Sequence, residues 1–128
     1  MQRFSSPIGR SLRRLSTSAP PTLPRFFVYA PDKTDPDALA RRLSVRSKHL
    51  EVAREAIDGG FIRVAGALLT PESVSSENKK MIGSMFIFQA ENIEAVKKMI
   101  ETDIYYTSDV WDPERIVILP FAAVTPIP

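Results

Sequence analysis

Short apolar runs and helical segments alternate in one order along the chain, and this order limits the possible folds more than any other feature. Runs rich in aromatic and branched side chains predict four strands, at residues 26–30, 61–69, 82–89 and 115–121. Two helices are expected between them, at residues 44–58 and 92–101, because their apolar residues recur at helical spacing. Ser44 is expected to cap the first helix and Gly59-Gly60 to end it.

The resulting order, β-α-β-β-α-β, predicts an α+β fold of the ferredoxin-like type. Such a fold has a four-stranded antiparallel sheet with two helices on one face. The strands here are apolar along nearly their whole length and do not alternate with polar residues. Since two helices cover only one face, the other face is expected to pack against a second copy of the chain. The sequence therefore predicts a homodimer.

Length and composition exclude several classes of site. The chain of 128 residues has room for one domain of ordinary size. It has no cysteine, which excludes disulfides and thiolate chemistry, and its one histidine excludes a multi-histidine metal site within one chain. We expect no metal and no cofactor. No apolar run approaches the roughly 20 residues that a membrane helix needs, so no membrane insertion is expected.

The positive charge is concentrated at the N-terminus. Residues 1–31 contain five arginines and no acidic residue, whereas residues 32–128 contain 12 basic and 15 acidic residues. A nucleic-acid-binding surface on the domain is therefore disfavoured.

The first 24 residues have the composition of a mitochondrial transit peptide, rich in arginine and serine and free of acidic residues. Ile8, Leu12 and Leu15 would share one face of a helix. The sequence thus predicts a transit peptide and linker at 1–24, a domain at 25–124, a tail at 125–128 and a location in the mitochondrial matrix. The alternative is a disordered basic tail that binds an anionic surface.

Two ionisable side chains, Arg46 and His49, fall on the apolar stripe of the first predicted helix, with Leu50, Ala53 and Ile57. In the functional interpretation they enter a cavity between helix and sheet. The positive end of the helix dipole would favour a neutral imidazole that accepts a proton, and Arg46 would hold a carboxylate or enolate oxygen. In the alternative, His49 is a structural core-edge residue and Arg46 extends outward to solvent.

Two aspartates are further candidates. Asp32 follows the first predicted strand, where loops often build sites, although it is also a typical turn residue. Asp103, followed by Tyr105, comes after the second predicted helix, where the alternative is a solvated loop. Ser84 follows Gly83 but lacks the context of a nucleophile motif.

Several of these residues carry a resemblance to a known family. The segments Phe27-Val28-Tyr29-Ala30-Pro31-Asp32-Lys33 and Arg42-Leu43-Ser44-Val45-Arg46, then His49-Leu50, Gly83-Ser84 and Asp103-x-Tyr105, resemble the YCII-related (YciI-like) family over about residues 26–121. Two positions depart from the family pattern. Ile104 stands where the family's Asp-Pro-Tyr motif has proline, and Ala67 stands where a proline usually follows the small residue, here Gly66.

The resemblance implies a dimeric α+β barrel with a His–Asp pair in a pocket. Carried over to this sequence, the histidine is His49, and the aspartate is either Asp32 or Asp103. Arg46, Ser84 and Tyr105 are then the expected ligand-binding residues. The implied activity is that of a cofactor-independent lyase or isomerase acting on a small cyclic or carbonyl compound. The alternative is a small-ligand-binding or structural dimeric module without catalysis.

Overall fold

The strands and helices of the domain follow the predicted order, in a computed structural model that describes residues 22–128. The strands are β1 (Arg25–Pro31), β2 (Ile62–Leu69), β3 (Met81–Gln89) and β4 (Val117–Phe121), and the helices are α1 (Ala38–Asp58), α2 (Ile93–Thr102) and α3 (Ile104–Thr107). A short 3₁₀ turn, Pro71–Ser75, connects β2 to β3. Residues 1–21, and with them most of the predicted transit peptide, lie outside the described part of the chain.

The four strands form one antiparallel sheet in the order β2-β3-β1-β4. In its register, Phe26 lies opposite Phe88 and Val28 opposite Phe86, so these four side chains share one face. The predicted α+β, ferredoxin-like βαββαβ fold is confirmed.

The core lies between this face and the helices. Phe26, Val28, Phe86 and Phe88 on the sheet meet apolar residues of α2 and of the segment that follows it. The largest fully buried side chain is that of Trp111, just before β4. Each such aliphatic or aromatic side chain stabilises the fold by about 1.5–3 kcal/mol when it is fully buried. This packing fixes α2 and its C-terminal extension on the sheet.

The first helix begins six residues earlier than predicted, at Ala38 rather than Ser44. Its start follows a turn in which Asp35 accepts a hydrogen bond from the backbone N–H of Asp37, at 3.2 Å. Ser44 caps nothing, since its hydroxyl donates back to the carbonyl of Arg41 at 2.7 Å. His49 therefore lies in the middle of α1, where the helix dipole has little effect, and the argument for a neutral imidazole from that dipole was wrong.

The buried stripe of α1 is also rotated from the predicted one. It consists of Ala38, Arg42, His49 and Ala53. Leu50 and Ile57 were expected in the core but are 38% and 44% exposed. They line an open cavity between α1 and β2, which is why they remain accessible.

Two features after α2 complete the framework. The one-turn helix α3 was not predicted; its N-cap is Asp103, whose side chain accepts the backbone N–H of Tyr105. At the end of the chain, the carbonyl of Pro128 accepts a hydrogen bond from Arg63 Nε at 2.8 Å, so the tail reaches β2.

Within residues 22–128, no helix is both long and apolar enough to cross a bilayer.

Candidate active site

The cavity of interest lies between α1, the adjoining strands β2 and β3, and α3. Its volume is about 220 Å³. Small residues of β2, Ala65 to Ala67, form part of its wall, while Phe86 and Ala53 supply apolar surface. Because Ala65 and Gly66 carry at most a methyl group, this edge of the sheet leaves space that larger side chains would fill. A ligand the size of a single ring fits such a volume.

His49 is placed on the cavity wall by α1 and is held there by aromatic contacts. Its ring stacks on that of Tyr105, with centroids 3.8 Å apart and planes 14° from parallel. Trp111 meets the imidazole edge-on at 6.1 Å. With an exposed fraction of only 7%, the imidazole is restricted in orientation by these neighbours.

The imidazole is also oriented by a carboxylate. His49 Nδ1 lies 2.9 Å from Asp103 Oδ1, and that oxygen also accepts the backbone N–H of Tyr105 at 2.8 Å. An ionised carboxylate only accepts hydrogen bonds, so Nδ1 carries the proton of the neutral ring. The Nε2 lone pair is then free to accept, and Nε2 bonds to no residue among those that the structure describes. This arrangement suits a general base.

The other candidate carboxylate, Asp32, belongs to a different pair. Its Oδ1 accepts a hydrogen bond from Arg42 Nη1 at 2.8 Å, and the two side chains are 5% and 3% exposed. Burial raises the pKa of Asp32 above its usual value, although the charge of Arg42 acts in the opposite direction. Asp32 Oδ2 and Arg42 Nε are buried and bond to nothing in residues 22–128.

Ser84, on β3, connects this ion pair to the cavity. Its Oγ accepts hydrogen bonds from Arg42 Nη2 at 2.9 Å and from Trp111 Nε1 at 3.2 Å. A hydroxyl has two lone pairs and one proton, so both acceptor positions are in use and only the proton remains. Ser84 lines the cavity, where that proton can be donated to a ligand.

Tyr105 and the arginines of α1 determine the electrostatics of the cavity. Burial raises the pKa of the Tyr105 hydroxyl, while the charges of Arg42 and Arg46 lower it. The phenol is therefore protonated at neutral pH and remains a hydrogen-bond donor. Arg42 also lies over the Tyr105 ring, with Cζ 4.6 Å from the centroid.

Four of the six predicted site residues line this cavity, namely His49, Arg46, Ser84 and Tyr105, and a fifth, Asp103, bonds to His49. Asp32 lies behind Arg42 and on the wall of a separate cleft. The question of which aspartate contacts His49 is answered by geometry in favour of Asp103.

Sequence reasoning missed Arg42 and Arg54, both of which line the cavity. Arg42 was overlooked because the predicted helix began at Ser44, after this residue. A helix starting at Ala38 would have placed Arg42 on the stripe of His49, two turns away. Arg54 was overlooked because the predicted apolar stripe is rotated from the stripe that the structure has.

The described part of the chain contains no cluster of three His, Asp or Glu side chains that could hold a metal ion. Apart from Nε2 of His49, which accepts, the charged and polar side-chain groups at the cavity are nitrogen and hydroxyl donors.

The family model for the YCII-related domain matches residues 26–121. This range includes all the cavity residues and all four strands, apart from the first residue of β1. This protein belongs to the YCII-related domain family.

Curated relatives agree with this assignment. Fusaric acid biosynthesis protein 2 of Gibberella moniliformis is 31% identical over 99 residues, covering 77% of this chain and 93% of the relative. Protein YciI of Escherichia coli O6:H1 is 31% identical over 99 residues, covering 77% of this chain and 97% of that protein. Each alignment therefore spans nearly the whole length of the relative.

A solved structure has the same fold. It is 5-chloro-2-hydroxyhydroquinone dehydrochlorinase (TftG) from Burkholderia phenoliruptrix AC1100, in complex with 2,5-dihydroxybenzoquinone. The TM-score is 0.65 at 21% identity, covering 77% of this chain and 93% of that one. At this identity the similarity establishes the α+β fold of the YCII-related domain.

Proposed function

We propose that this protein is a cofactor-independent lyase or isomerase in which His49 moves a proton next to a carbonyl group of a small cyclic compound. The observation that carries the proposal is the 2.9 Å contact between His49 Nδ1 and Asp103, which leaves Nε2 free on a cavity wall. A base needs both features, an orienting partner and an open position for the substrate.

In the proposed reaction, Nε2 of His49 removes a proton from the carbon beside the carbonyl. The electron pair of that C–H bond moves to the carbonyl oxygen and gives an enolate, which Arg46 stabilises. In an isomerisation the imidazolium returns the proton to another carbon of the enolate. In an elimination the enolate re-forms its carbonyl, and a C=C bond forms between the deprotonated carbon and the next carbon along. The leaving group departs from that next carbon with its bonding electron pair and takes the proton from the imidazolium.

The ligand size is supported independently. The 2,5-dihydroxybenzoquinone of the dehydrochlorinase complex is a single six-membered ring, so a protein of this fold can hold such a ring. A cavity of about 220 Å³ suits a ring of that size here.

The test is solvent exchange. In D₂O, proton NMR would follow the loss of signal from C–H groups beside the carbonyl in cyclohexanone, cyclohex-2-enone and γ-butenolide. We expect the wild-type protein to catalyse exchange and His49→Gln to lose it by a factor of about 10² or more. Lys48→Gln, an exposed change on the same helix, is the matched control. Exchange at the wild-type rate in His49→Gln would exclude His49 as the base.

A second function, ligand binding without catalysis, is favoured by one observation. Asp103 caps α3 through its bond to the Tyr105 N–H, so its contact with His49 also has a structural use. Under this alternative, His49→Gln costs on the order of 1–3 kcal/mol of stability and ligand binding falls only in proportion.

We propose that the protein acts as a homodimer. Tyr29, Val117, Leu119 and Phe121 are all exposed on the sheet face that points away from the helices. Leu119 and Leu43 have nearly equal exposure, 55% and 54%, but Leu43 lies on α1. Sedimentation of the full chain should show a dimer that Leu119→Lys converts to monomer and Leu43→Lys does not. A monomeric wild type at micromolar concentration would refute the dimer.

We also propose that the protein resides in the mitochondrial matrix after loss of its leader, because residues 1–24 are basic, serine-rich and free of acidic residues. Protein isolated from its own mitochondria should begin within a few residues of Ser16. An intact Met1 on that protein would contradict the proposal.

A further inference from the structure

The charged side chains that line the cavity are all cationic. Within residues 22–128, Arg42, Arg46 and Arg54 line it, and no aspartate or glutamate does. Arg42 is neutralised by its buried pair with Asp32. Arg46 and Arg54 form no ion pair with any residue in 22–128, so two positive charges on the wall lack a counter-charge from the described part of the chain.

The neutral polar groups favour an anion as well. The hydroxyl of Ser84 has only its proton left to offer, because Arg42 and Trp111 occupy both lone pairs. The Tyr105 hydroxyl is a protonated donor, since burial raises its pKa. Apart from the Nε2 lone pair of His49, these side-chain groups donate hydrogen bonds.

The remaining wall is largely apolar. Phe86, Ala53, Leu50 and Ile57 contribute to this apolar surface, which favours a hydrocarbon ring over a sugar or a phosphate ester. Guanidinium groups bind carboxylates and other planar oxyanions through paired N–H donors.

We propose that the cavity binds a small planar anion, a single ring bearing a carboxylate or an ionised enolic or phenolic hydroxyl, whose charge is balanced by Arg46 and Arg54. This substrate class deepens the function proposed above and rests on it. An enolate or phenolate form would bring its negative charge into the cavity before any proton is moved. Arg46 and Arg54 would therefore select for the ionised ligand.

Calorimetry with benzoate as the probe and benzamide as its neutral counterpart tests this inference on the full chain. We expect benzoate to bind and benzamide to bind at least tenfold more weakly. Arg46→Gln and Arg54→Gln should each weaken benzoate binding on the order of tenfold. Lys48→Gln removes one positive charge from the same helix, and it should leave the affinity for benzoate within about twofold because Lys48 is exposed and does not line the cavity.

Three results would overturn the proposal: equal affinity for benzoate and benzamide, no binding of benzoate at millimolar concentration, or equal effects of the arginine and Lys48 variants. The His49→Gln variant separates this proposal from the catalytic one. Unchanged benzoate affinity together with lost solvent exchange supports both. Retained exchange on neutral cyclohexanone without benzoate binding would overturn the ligand class and leave the proton-transfer function standing.

Discussion

Two carboxylates meet two basic side chains on the same stripe of α1, yet the two pairs lie in different surroundings. Arg42 and Asp32 are 3% and 5% exposed and lie in the core beside Ser84. Two turns further on, His49 and Asp103 are 8% and 15% exposed at the edge of the cavity. In the first pair each charge is balanced by its partner, whereas the second leaves one ring nitrogen available. Two basic side chains on the same stripe of a helix, each paired with a carboxylate, therefore need not have the same role.

The largest effect is expected from the buried pair. Replacing Arg42 with Met leaves Asp32 ionised and unpaired in the core, which should cost about 3–5 kcal/mol at neutral pH. Arg46→Met, one turn away on the exposed side, should cost no more than about 0.5 kcal/mol. Denaturant unfolding of both variants measures the difference.

The stability cost of Arg42→Met should depend on pH. Burial already raises the pKa of Asp32 in the folded protein, and removal of Arg42 should raise it further. The penalty should be complete above that folded-state pKa and should shrink as the pH falls toward 3.8, the unfolded value, because Asp32 then takes up a proton. A penalty independent of pH would contradict the assignment of the cost to the stranded carboxylate.

The next effect concerns Asp103, and it should be on activity rather than stability. Asparagine still caps α3 but no longer presents a negative charge to the imidazole. Asp103→Asn should lower solvent exchange by about 10²-fold, which corresponds to about 2.7 kcal/mol in the barrier. Asp32→Asn, measured per folded molecule, should leave the exchange rate nearly unchanged. If Asp32→Asn instead gave the larger loss of exchange, the assignment of roles to the two pairs would be reversed.

Ser84 links the two regions and should give an intermediate effect. Ser84→Ala removes the acceptor of both Arg42 Nη2 and Trp111 Nε1, which should cost about 1–3 kcal/mol. Ser44→Ala, on the surface of α1, should stay within about 0.5 kcal/mol of wild type. Thermal melting of the two variants provides the comparison. A Ser84→Ala protein as stable as Ser44→Ala would show that neither donor depends on this hydroxyl.

The smallest effect is expected at the exposed pair beside the start of α1. The guanidinium of Arg41 bonds to Asp35 and lowers the pKa of that carboxyl to about 2. Because the folded-state pKa is below the unfolded value of 3.8, the stabilisation is present above pH 3.8 and is lost as the pH falls toward 2. Asp35→Asn should therefore reduce the acid sensitivity of unfolding in this window. An unchanged acid profile would show that Asp35 does not contribute.

Much of the fold could be predicted because each strand is a compact apolar run and Gly59-Gly60 ends α1 as expected. The start of α1 could not, because Ser44 resembles an N-cap while the true start depends on a turn stabilised by Asp35 and Arg41. That error hid Arg42. The choice between Asp32 and Asp103 depended on long-range packing, since Asp103 is 54 residues from His49 in the chain.

The central claim, that Asp103 fixes the imidazole with a free Nε2, can be measured directly because His49 is the only histidine in the chain. A long-range ¹H–¹⁵N NMR spectrum of the imidazole, recorded at a pH where the ring is neutral, reports which nitrogen carries the proton. We predict the Nδ1–H tautomer in the wild type and a shift toward the Nε2–H form in Asp103→Ala. A wild-type ring protonated on Nε2 would contradict the account.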